Sequence, residues 1–279
     1  MGDKEKMDNL ILRGELTNLW QDKDVFALLQ ALNGEVVRDK EGRQTMKFEL
    51  AGKNYYRKLH TGVGWREIFK NFLQLKMPVT GASNEWHAIN RVRELGLDSL
   101  NPLAFGERGF NPAKKLSFLV TEELSGTLSL AKYAEQWPDK PPPYNERCAL
   151  INKVATIART IHHAGINHRD LYICHFLLDI SAEAKTALTD PKLFLVDLHR
   201  AQIRASVPSR WLIKDVASIY FSSLDVGLNK KDVYRFLRVY FDMPLREIFE
   251  KHEVLLKLIE KRAVQLYRRD FKRMPVLVL

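Results

Sequence analysis

The sequence predicts an α+β fold built from two lobes, and three observations lead to this prediction. The N-terminal part alternates apolar and polar residues as strands do, whereas the part after about residue 125 repeats apolar residues at helical spacing. Between them lies a short polar stretch ending in a glycine, 122–126, which is typical of a hinge. The chain has 279 residues, enough for two lobes. We therefore expect an N-terminal lobe over 1–124 and a C-terminal lobe over 125–279.

The N-terminal lobe is predicted to hold an antiparallel sheet and one main helix. Residues 45–50 and 55–59 alternate in polarity around a turn at 51–54, which predicts a hairpin. A helix is expected over 84–95, since its apolar residues recur every three or four positions and Gly96 follows as a cap. Another strand is expected over 115–121.

The C-terminal lobe is predicted to be mostly helical. The clearest helix covers 147–163, with its apolar residues on one side and Gly165 beyond its end. A short buried strand is expected at 194–196. Further helices are expected over 211–224, 232–241 and 245–269.

Composition limits the possible functions. Hydrophobic residues make up 46% of the chain, which excludes a disordered protein. No apolar run approaches the ~20 residues of a membrane-spanning helix, and the charged N-terminus is unlike a signal peptide, so we expect a cytoplasmic protein. Cys148 and Cys174 are expected to be reduced thiols, with Cys174 in the core. The net charge of +10 favours a polyanionic partner without choosing among nucleic acid, lipid and phosphorylated substrates.

The strongest chemical signal is a loop that follows the helix over 147–163. After Gly165 the sequence continues Ile166-Asn167-His168-Arg169-Asp170-Leu171, which resembles the catalytic loop of the protein-kinase-like superfamily. Phosphoryl transfer needs a rigidly held carboxylate beside the attacking hydroxyl. Asp170 is the candidate for orienting that hydroxyl and taking its proton. His168 and Arg169 are expected to support the loop.

A second carboxylate stands at the end of the strand at 194–196. In kinases the aspartate after such a strand binds the magnesium ion that bridges the nucleotide phosphates, and Asp197 is the candidate here. The usual Asp-Phe-Gly reads Asp197-Leu198-His199, and no Ala-Pro-Glu follows. Both departures fit a small-molecule kinase better than a signalling protein kinase.

His175 stands where the catalytic loop normally places the asparagine that binds the second metal ion. Imidazole is a poor ligand for magnesium, which prefers hard oxygen atoms. His175 is therefore a candidate for weak metal binding, for a hydrogen bond to phosphate, or for holding Asp170. Asp215, at the start of a predicted helix, is expected to brace the backbone of the catalytic loop, as the aspartate at this place does in kinase-like folds.

The nucleotide contacts are expected in the N-terminal lobe. Lys58 is the candidate for binding the nucleotide phosphates, and Arg57 is the other cation that could do so. Alternation places the two on opposite faces of the strand, and Glu85 on the following helix is the expected partner of Lys58. In the hinge, Glu122 and Leu124 are candidates for binding the nucleotide. No Gly-x-Gly-x-x-Gly precedes Lys58, so the sequence leaves open how the phosphates are held, and one glycine turn with Arg or Lys is a candidate.

Longer stretches carry a closer resemblance. The chain resembles the lipopolysaccharide core heptose(I) kinases of Gram-negative bacteria over nearly its whole length. The stretches that carry this resemblance are 58–65, 78–86, 172–178, 196–202 and 214–221.

That resemblance implies transfer of the ATP γ-phosphate to a hydroxyl of the first inner-core heptose on Kdo-lipid A, with Mg²⁺ as the cofactor. It implies action at the cytoplasmic face of the inner membrane, with acyl carrier protein as a further partner and no nucleic acid. Asp170 would be the catalytic aspartate and Asp197 the metal aspartate. Basic residues of the C-terminal tail are candidates for holding the anionic acceptor near the membrane, with Phe271 as an apolar contact: Arg268, Arg269, Lys272 and Arg273.

Three other functions stay open from the sequence. The first is a pseudokinase scaffold, against which the presence of Lys58, Asp170 and Asp197 argues. The second is an atypical protein kinase or nucleic-acid-associated kinase, suggested by the basic charge. The third is an antibiotic or choline-type phosphotransferase, which shares the logic of the catalytic loop.

Overall fold

A computed structural model describes residues 8–40, 42–62, 81–111, 114–181 and 189–277. The chain divides into two compact units, the first formed by Met1–Arg91 with Leu100–Leu124 and the second by Val92–Ser99 with Ser125–Leu279. Residues 92–99, which the sequence placed in the first lobe, thus group with the second unit. The Leu195 amide donates to the Asp98 carbonyl at 2.9 Å, and the Ser99 hydroxyl donates to the Leu195 carbonyl at 2.6 Å. Residues 63–80, which carry part of the family resemblance, lie outside the described ranges.

The first unit contains a six-stranded sheet in which every neighbouring pair is antiparallel. Its strands in chain order are β1 (Asp8–Leu12), β2 (Glu35–Lys40), β3 (Arg43–Leu50), β4 (Lys53–His60), β5 (Pro102–Arg108) and β6 (Leu116–Glu122). Their spatial order is β1-β5-β6-β4-β3-β2. The predicted hairpin is confirmed as β3 and β4. Ala51 and Gly52 between them both have positive φ, as a tight two-residue hairpin turn requires.

Two short helices, α1 (Glu15–Trp20) and α2 (Val25–Ala31), also belong to this unit. The predicted main helix is confirmed as α3 (Ser83–Glu94). The expectation of one main helix missed α1 and α2, because six or seven residues give too few turns for a periodic apolar pattern. Their apolar side chains form the core of the unit with residues of the sheet, including Leu16, Trp20, Phe26, Leu29, Phe48, Tyr55 and Phe118.

The second unit is mostly helical, as predicted. Its helices are α4 (Leu130–Ala134), α5 (Tyr144–His163), α6 (Ser209–Ser222), α7 (Lys230–Phe241) and α8 (Leu245–Phe271). Its short strands are β7 (Thr127–Ser129), β8 (Ile166–Asn167), β9 (Phe176–Asp179), β10 (Leu193–Leu195) and β11 (Gln202–Ile203). They form a three-stranded sheet, β10-β9-β7, and a two-stranded one, β11-β8. Cys174, which was expected in the core, is exposed, whereas Cys148 is buried.

An apolar cavity of about 90 Å³ lies within the second unit. Apolar side chains from α5, α6, α7 and α8 form most of its wall, among them Leu150, Val154, Ile219, Val233, Leu256 and Ile259. Across the described ranges, no helix combines the length and the apolar character that crossing a bilayer would require.

Candidate active site

The loop that carries Asp170 is fixed at its start by a glycine. Gly165 has a φ of 75°, and its carbonyl accepts a hydrogen bond from the Arg204 amide at 2.9 Å. A Cβ atom at this position would lie 1.8 Å from the Arg204 carbonyl oxygen, so only glycine fits. Directly after Gly165, strand β8 pairs with β11.

Asp215 on α6 binds the backbone of the same loop. Its two carboxylate oxygens accept the amides of His168 and Arg169, each at 2.7 Å, and its side chain is fully buried. Arg169, the second of these two residues, has a left-handed backbone with a φ of 74°. Behind Asp215 lies His162, whose Nε2 is 3.4 Å from the carboxylate and whose Nδ1 is 2.7 Å from the Tyr240 hydroxyl.

His168 joins the loop to the segment that carries Asp197. Burial lowers the pKa of its imidazole, so the ring is neutral near neutral pH. Its Nε2 lies 3.0 Å from the Val196 carbonyl oxygen and donates to it. The ring also stacks on His175, with 5.6 Å between the ring centroids. His168 thereby fixes the residue that immediately precedes Asp197.

The Asp170 carboxylate is held by two cations that come from other parts of the second unit. Nη1 of Arg200 lies 3.1 and 2.8 Å from the two carboxylate oxygens, and Nζ of Lys214 lies 3.3 Å from one of them. Burial acts to raise the pKa of Asp170, but the charges of Lys214 and Arg200 outweigh it and hold the pKa below its ordinary value. Asp170 is therefore ionised at neutral pH, as a proton acceptor must be.

His175 lies between Asp170 and Asp197. Its Nδ1 donates to the Asp170 carbonyl oxygen at 2.7 Å, and its Nε2 is 3.4 Å from a carboxylate oxygen of Asp197. The other Asp197 oxygen is 2.6 Å from Nδ1 of His199. Asp197 itself has a left-handed backbone, with a φ of 63°. One imidazole ring therefore contacts both residues to which the sequence assigned the chemistry.

The donor atoms at Asp197 suit a divalent ion that also binds substrate. Magnesium is commonly held by one or two carboxylates, with water and phosphate oxygens completing its shell, and the Asp197 carboxylate fits that pattern. Burial would lower the pKa of His175, but contacts with Cys174, the Asp170 carbonyl and Asp197 raise it to about 9. Its Nδ1 is engaged with the Asp170 carbonyl, which leaves Nε2 facing the Asp197 carboxylate, and His175 as a metal ligand stays a prediction. Within the described ranges, no cluster of three or more His, Cys, Asp or Glu side chains could hold a metal alone.

The first unit contains an ion pair between β4 and α3. Nζ of Lys58 lies 2.5 Å from a carboxylate oxygen of Glu85, and the Glu85 side chain is only 2% exposed. The neighbouring Arg57 points to the other face of β4, where it is buried and donates to the Leu29 carbonyl and to Gln44. Of the two rival cations, Arg57 is thus used inside the core, and Lys58 retains a side chain that is 25% exposed.

The two hinge candidates lie at the end of β6. Glu122 is half-buried, and its carboxylate accepts a hydrogen bond from the Asn101 side-chain amide at 2.9 Å. Its own amide donates to the Asn101 carbonyl at 3.1 Å. Leu124 is half-buried and is the last residue of the first unit.

Sequence reasoning assigned no role to Arg200 or Lys214. Both stand inside stretches that carry the family resemblance, but neither is next to Asp170 in the sequence. Their contacts with Asp170 depend on how the segment after Asp197 and helix α6 fold around the loop. The sequence offered one signal, which is that each residue lies close to an aspartate of a motif. Arg200 comes three residues after Asp197, and Lys214 comes directly before Asp215.

Comparisons with known proteins identify the family of this chain. A sequence profile of the "Lipopolysaccharide kinase (Kdo/WaaP) family" matches residues 27–240. A curated relative from Escherichia coli K12, the lipopolysaccharide core heptose(I) kinase WaaP, is 47% identical and covers 94% of this chain and 98% of its own length. The kinase of the same name from Pseudomonas aeruginosa is 46% identical, covering 93% of this chain and 96% of its own length.

A solved structure extends this likeness to three dimensions. The structure described as WaaP in complex with acyl carrier protein has a TM-score of 0.81 and 41% sequence identity to this chain. The match covers 93% of this chain and 99% of the other. At this identity and coverage, the fold is that of the kinase-like relatives, and the chain belongs to the lipopolysaccharide kinase (Kdo/WaaP) family.

Proposed function

We propose that this protein is an ATP-dependent kinase that phosphorylates the first inner-core heptose of lipopolysaccharide. The observation that carries the proposal is the Asp170 carboxylate on a loop braced by Asp215, in a chain whose curated relatives are heptose(I) kinases. These relatives match nearly the whole chain, so the acceptor site falls within the shared length.

The proposed reaction is a direct in-line transfer. Asp170 takes the proton of the heptose hydroxyl while the hydroxyl oxygen forms a bond to the γ-phosphorus of ATP. The bond between that phosphorus and the bridging oxygen of ADP breaks, and ADP leaves with the electron pair. Asp170 is suited to this step because it is ionised and because Asp215 holds the backbone of its loop.

Membership of a kinase family implies ATP and a divalent metal. We propose that the metal is Mg²⁺ and that Asp197 binds it, with water and phosphate oxygens as its other ligands. When bound, Mg²⁺ neutralises the phosphate charge. We assign His175 to positioning instead, because it donates to the Asp170 carbonyl and faces the Asp197 carboxylate.

We propose that the first unit is the nucleotide-binding lobe and the second the catalytic lobe. In this assignment the ammonium group of Lys58 binds nucleotide phosphates, and Glu85 fixes its position. Glu122 and Leu124 are proposed to contact the rest of the nucleotide. Support for Lys58 comes from its partly exposed side chain, since the rival Arg57 is engaged in the core.

The acceptor is an amphipathic polyanion, and we propose that the end of α8 helps to hold it at the inner-membrane surface. Phe271 is 51% exposed there and stands among Arg268, Arg269, Lys272 and Arg273. Cations beside an anionic membrane contribute about 1 kcal/mol each. Peripheral binding at the cytoplasmic face is the location consistent with this surface.

We also propose acyl carrier protein as a partner, since a solved relative is described in complex with it. The net charge of +10 suits an acidic protein. The apolar cavity of the second unit suits the acyl chain that such a carrier presents, because each buried methylene contributes about 0.8 kcal/mol.

Val233→Trp, which fills the cavity from a half-buried position, should weaken binding of acylated carrier more than binding of the unacylated form. Equal effects on the two forms would exclude the cavity from this role.

The deciding experiment for the kinase function combines cells and purified protein. Inner-core lipopolysaccharide from cells lacking the gene should lack phosphate on the first heptose, and a wild-type copy but not an Asp170→Asn copy should restore it. Purified protein should transfer labelled γ-phosphate to Kdo-lipid A bearing heptose. Phosphorylated heptose in the deletion strain, together with an inactive purified protein, would refute the proposal.

A further inference from the structure

Two cations meet at the Asp170 carboxylate, and this surplus of positive charge is the starting observation. Arg200 lies in the turn after Asp197, and Lys214 lies on α6. Both reach the same carboxylate, which is 17% exposed. We propose that Arg200 and Lys214 bind the phosphoryl group during its transfer, a role that rests on the kinase function proposed above.

The two cations exceed what is needed to hold Asp170. One negative charge is shared between two positive ones. Burial lowers the pKa of Lys214, Asp170 acts to raise it, and the nearby charge of Arg200 adds to the lowering. Two like charges this close gain from a further anion. The Arg200 side chain is 35% exposed and that of Lys214 is 20% exposed, so an anion from solution can reach both.

Arg200 also has donors to spare. Nη1 alone makes both contacts with Asp170. Over the residues that the structure describes, Nη2 and Nε of Arg200 have no hydrogen-bond acceptor. A guanidinium presents its donors as a planar fork that matches phosphate oxygens. Arg200 can therefore keep one contact with Asp170 while it binds a phosphoryl oxygen.

The other arginines near the loop are engaged elsewhere. The guanidinium carbon of Arg169, the neighbour of Asp170, lies 4.6 Å from the centre of the Trp211 ring. Arg204 donates to Asn167 and Gln202. Among the described residues, Arg200 and Lys214 are thus the cations whose side chains contact the proposed base.

The transfer step itself explains why the cations sit on the base. As the acceptor oxygen bonds to the γ-phosphorus and the bond to ADP breaks, the acceptor proton passes to Asp170 and cancels its charge. Asp170 then attracts Arg200 and Lys214 less strongly. The cations become available to the phosphoryl oxygens at the moment when negative charge is spread over those oxygens. Groups placed in this way stabilise the transition state more than the ground state.

The test uses ADP, Mg²⁺ and aluminium fluoride, which together imitate the transferring phosphoryl group. Arg200→Gln and Lys214→Gln should each lower kcat by roughly 10²-fold and weaken the aluminium fluoride complex by a similar factor, with the affinity for ADP unchanged. Asp170→Asn should lose activity and keep the complex. Arg210→Gln, an exposed cation on the same helix, is the matched control and should behave as the wild type.

Three results would overturn the inference. Survival of the intact aluminium fluoride complex in both Gln variants would mean that the cations act only through Asp170. A fall in the affinity for ADP as large as the fall in the affinity for the complex would assign the cations to ground-state nucleotide binding. A loss in Arg200→Lys and Lys214→Arg as large as in the Gln variants, with normal folding, would point to packing. Absence of heptose phosphorylation by the wild type would refute the proposed function instead, and the binding measurement would still judge the cations.

Discussion

Each unit of the protein places a carboxylate beside cationic groups, but the number of cations differs between the two. In the first unit Glu85 is 2% exposed and meets one cation, Lys58. In the second unit Asp170 is 17% exposed and meets two, Arg200 and Lys214. The Glu85–Lys58 contact is a one-to-one ion pair, and its geometry suits fixing the position of the lysine ammonium group. The Asp170 cluster carries surplus positive charge, as expected where a further anion binds and reacts.

The largest expected difference between the two carboxylates is in catalysis. Asp170→Asn should lower kcat by at least ~10²-fold, because it removes the proposed proton acceptor. Glu85→Gln should lower kcat/KM by about tenfold, mainly through KM for ATP, because Glu85 acts through Lys58. Steady-state kinetics with the heptose acceptor measures both, with Asp190→Ala as a control on an 85% exposed carboxylate. Similar losses in the two variants would remove the functional contrast.

Metal dependence should separate Asp197 from its neighbour His175. Asp197→Asn should raise the Mg²⁺ concentration needed for half-maximal activity by more than about tenfold, since it removes the proposed carboxylate ligand. His175→Gln should lower activity while leaving that concentration nearly unchanged, because the imidazole positions Asp170. Magnesium titrations of both variants provide the measurement. If His175→Gln shifts the titration as far as Asp197→Asn, His175 is a ligand after all.

For stability we expect the opposite ranking of the two sites, with the larger loss of unfolding free energy at the Lys58–Glu85 pair and the smaller loss at Asp170. Lys58→Met leaves the buried Glu85 carboxylate without its partner and should lower the free energy of unfolding by about 1–3 kcal/mol. Asp170→Asn should change it by less than about 1 kcal/mol, because the two cations it leaves behind reach solvent. Urea unfolding followed by circular dichroism gives both values. The double variant Lys58→Met/Glu85→Met should recover part of the loss, and failure to recover would mean that Glu85 is not the source of it.

The smallest effect concerns pH. The pKa of Asp170 lies below its ordinary value, and a group of this kind stays ionised until the pH falls through that lowered pKa. Arg200→Gln removes one of the charges that lower it, so protonation of Asp170 should begin at a higher pH. The ratio of kcat/KM at pH 5 to that at pH 7 should therefore be lower in Arg200→Gln than in the wild type. An unchanged ratio would show that Lys214 alone controls this carboxylate.

The parts of the molecule that sequence could predict are those written in contiguous residues. The loop from Gly165 to Asp170, the strand before Asp197 and the long helices all have local patterns, and the fold and family expected from them are confirmed. Helices α1 and α2 were missed because they are short. The contacts of Arg200 and Lys214 with Asp170 were missed because an ion pair formed across separate elements leaves no spacing to recognise. For Arg57, alternation gave the correct face but no indication of its contact with Leu29.

The buried Asp215 carboxylate has a consequence well beyond the loop that it holds. Through His162 it touches Tyr240, so helices α5, α6 and α7 all converge on one acidic group. A substitution at Tyr240, on a helix with no proposed part in the chemistry, would weaken the contacts that hold the Asp170 loop before it unfolded the protein. Selection for heat-sensitive growth should therefore recover alleles at positions 162 and 240, giving an enzyme that can be switched off by temperature.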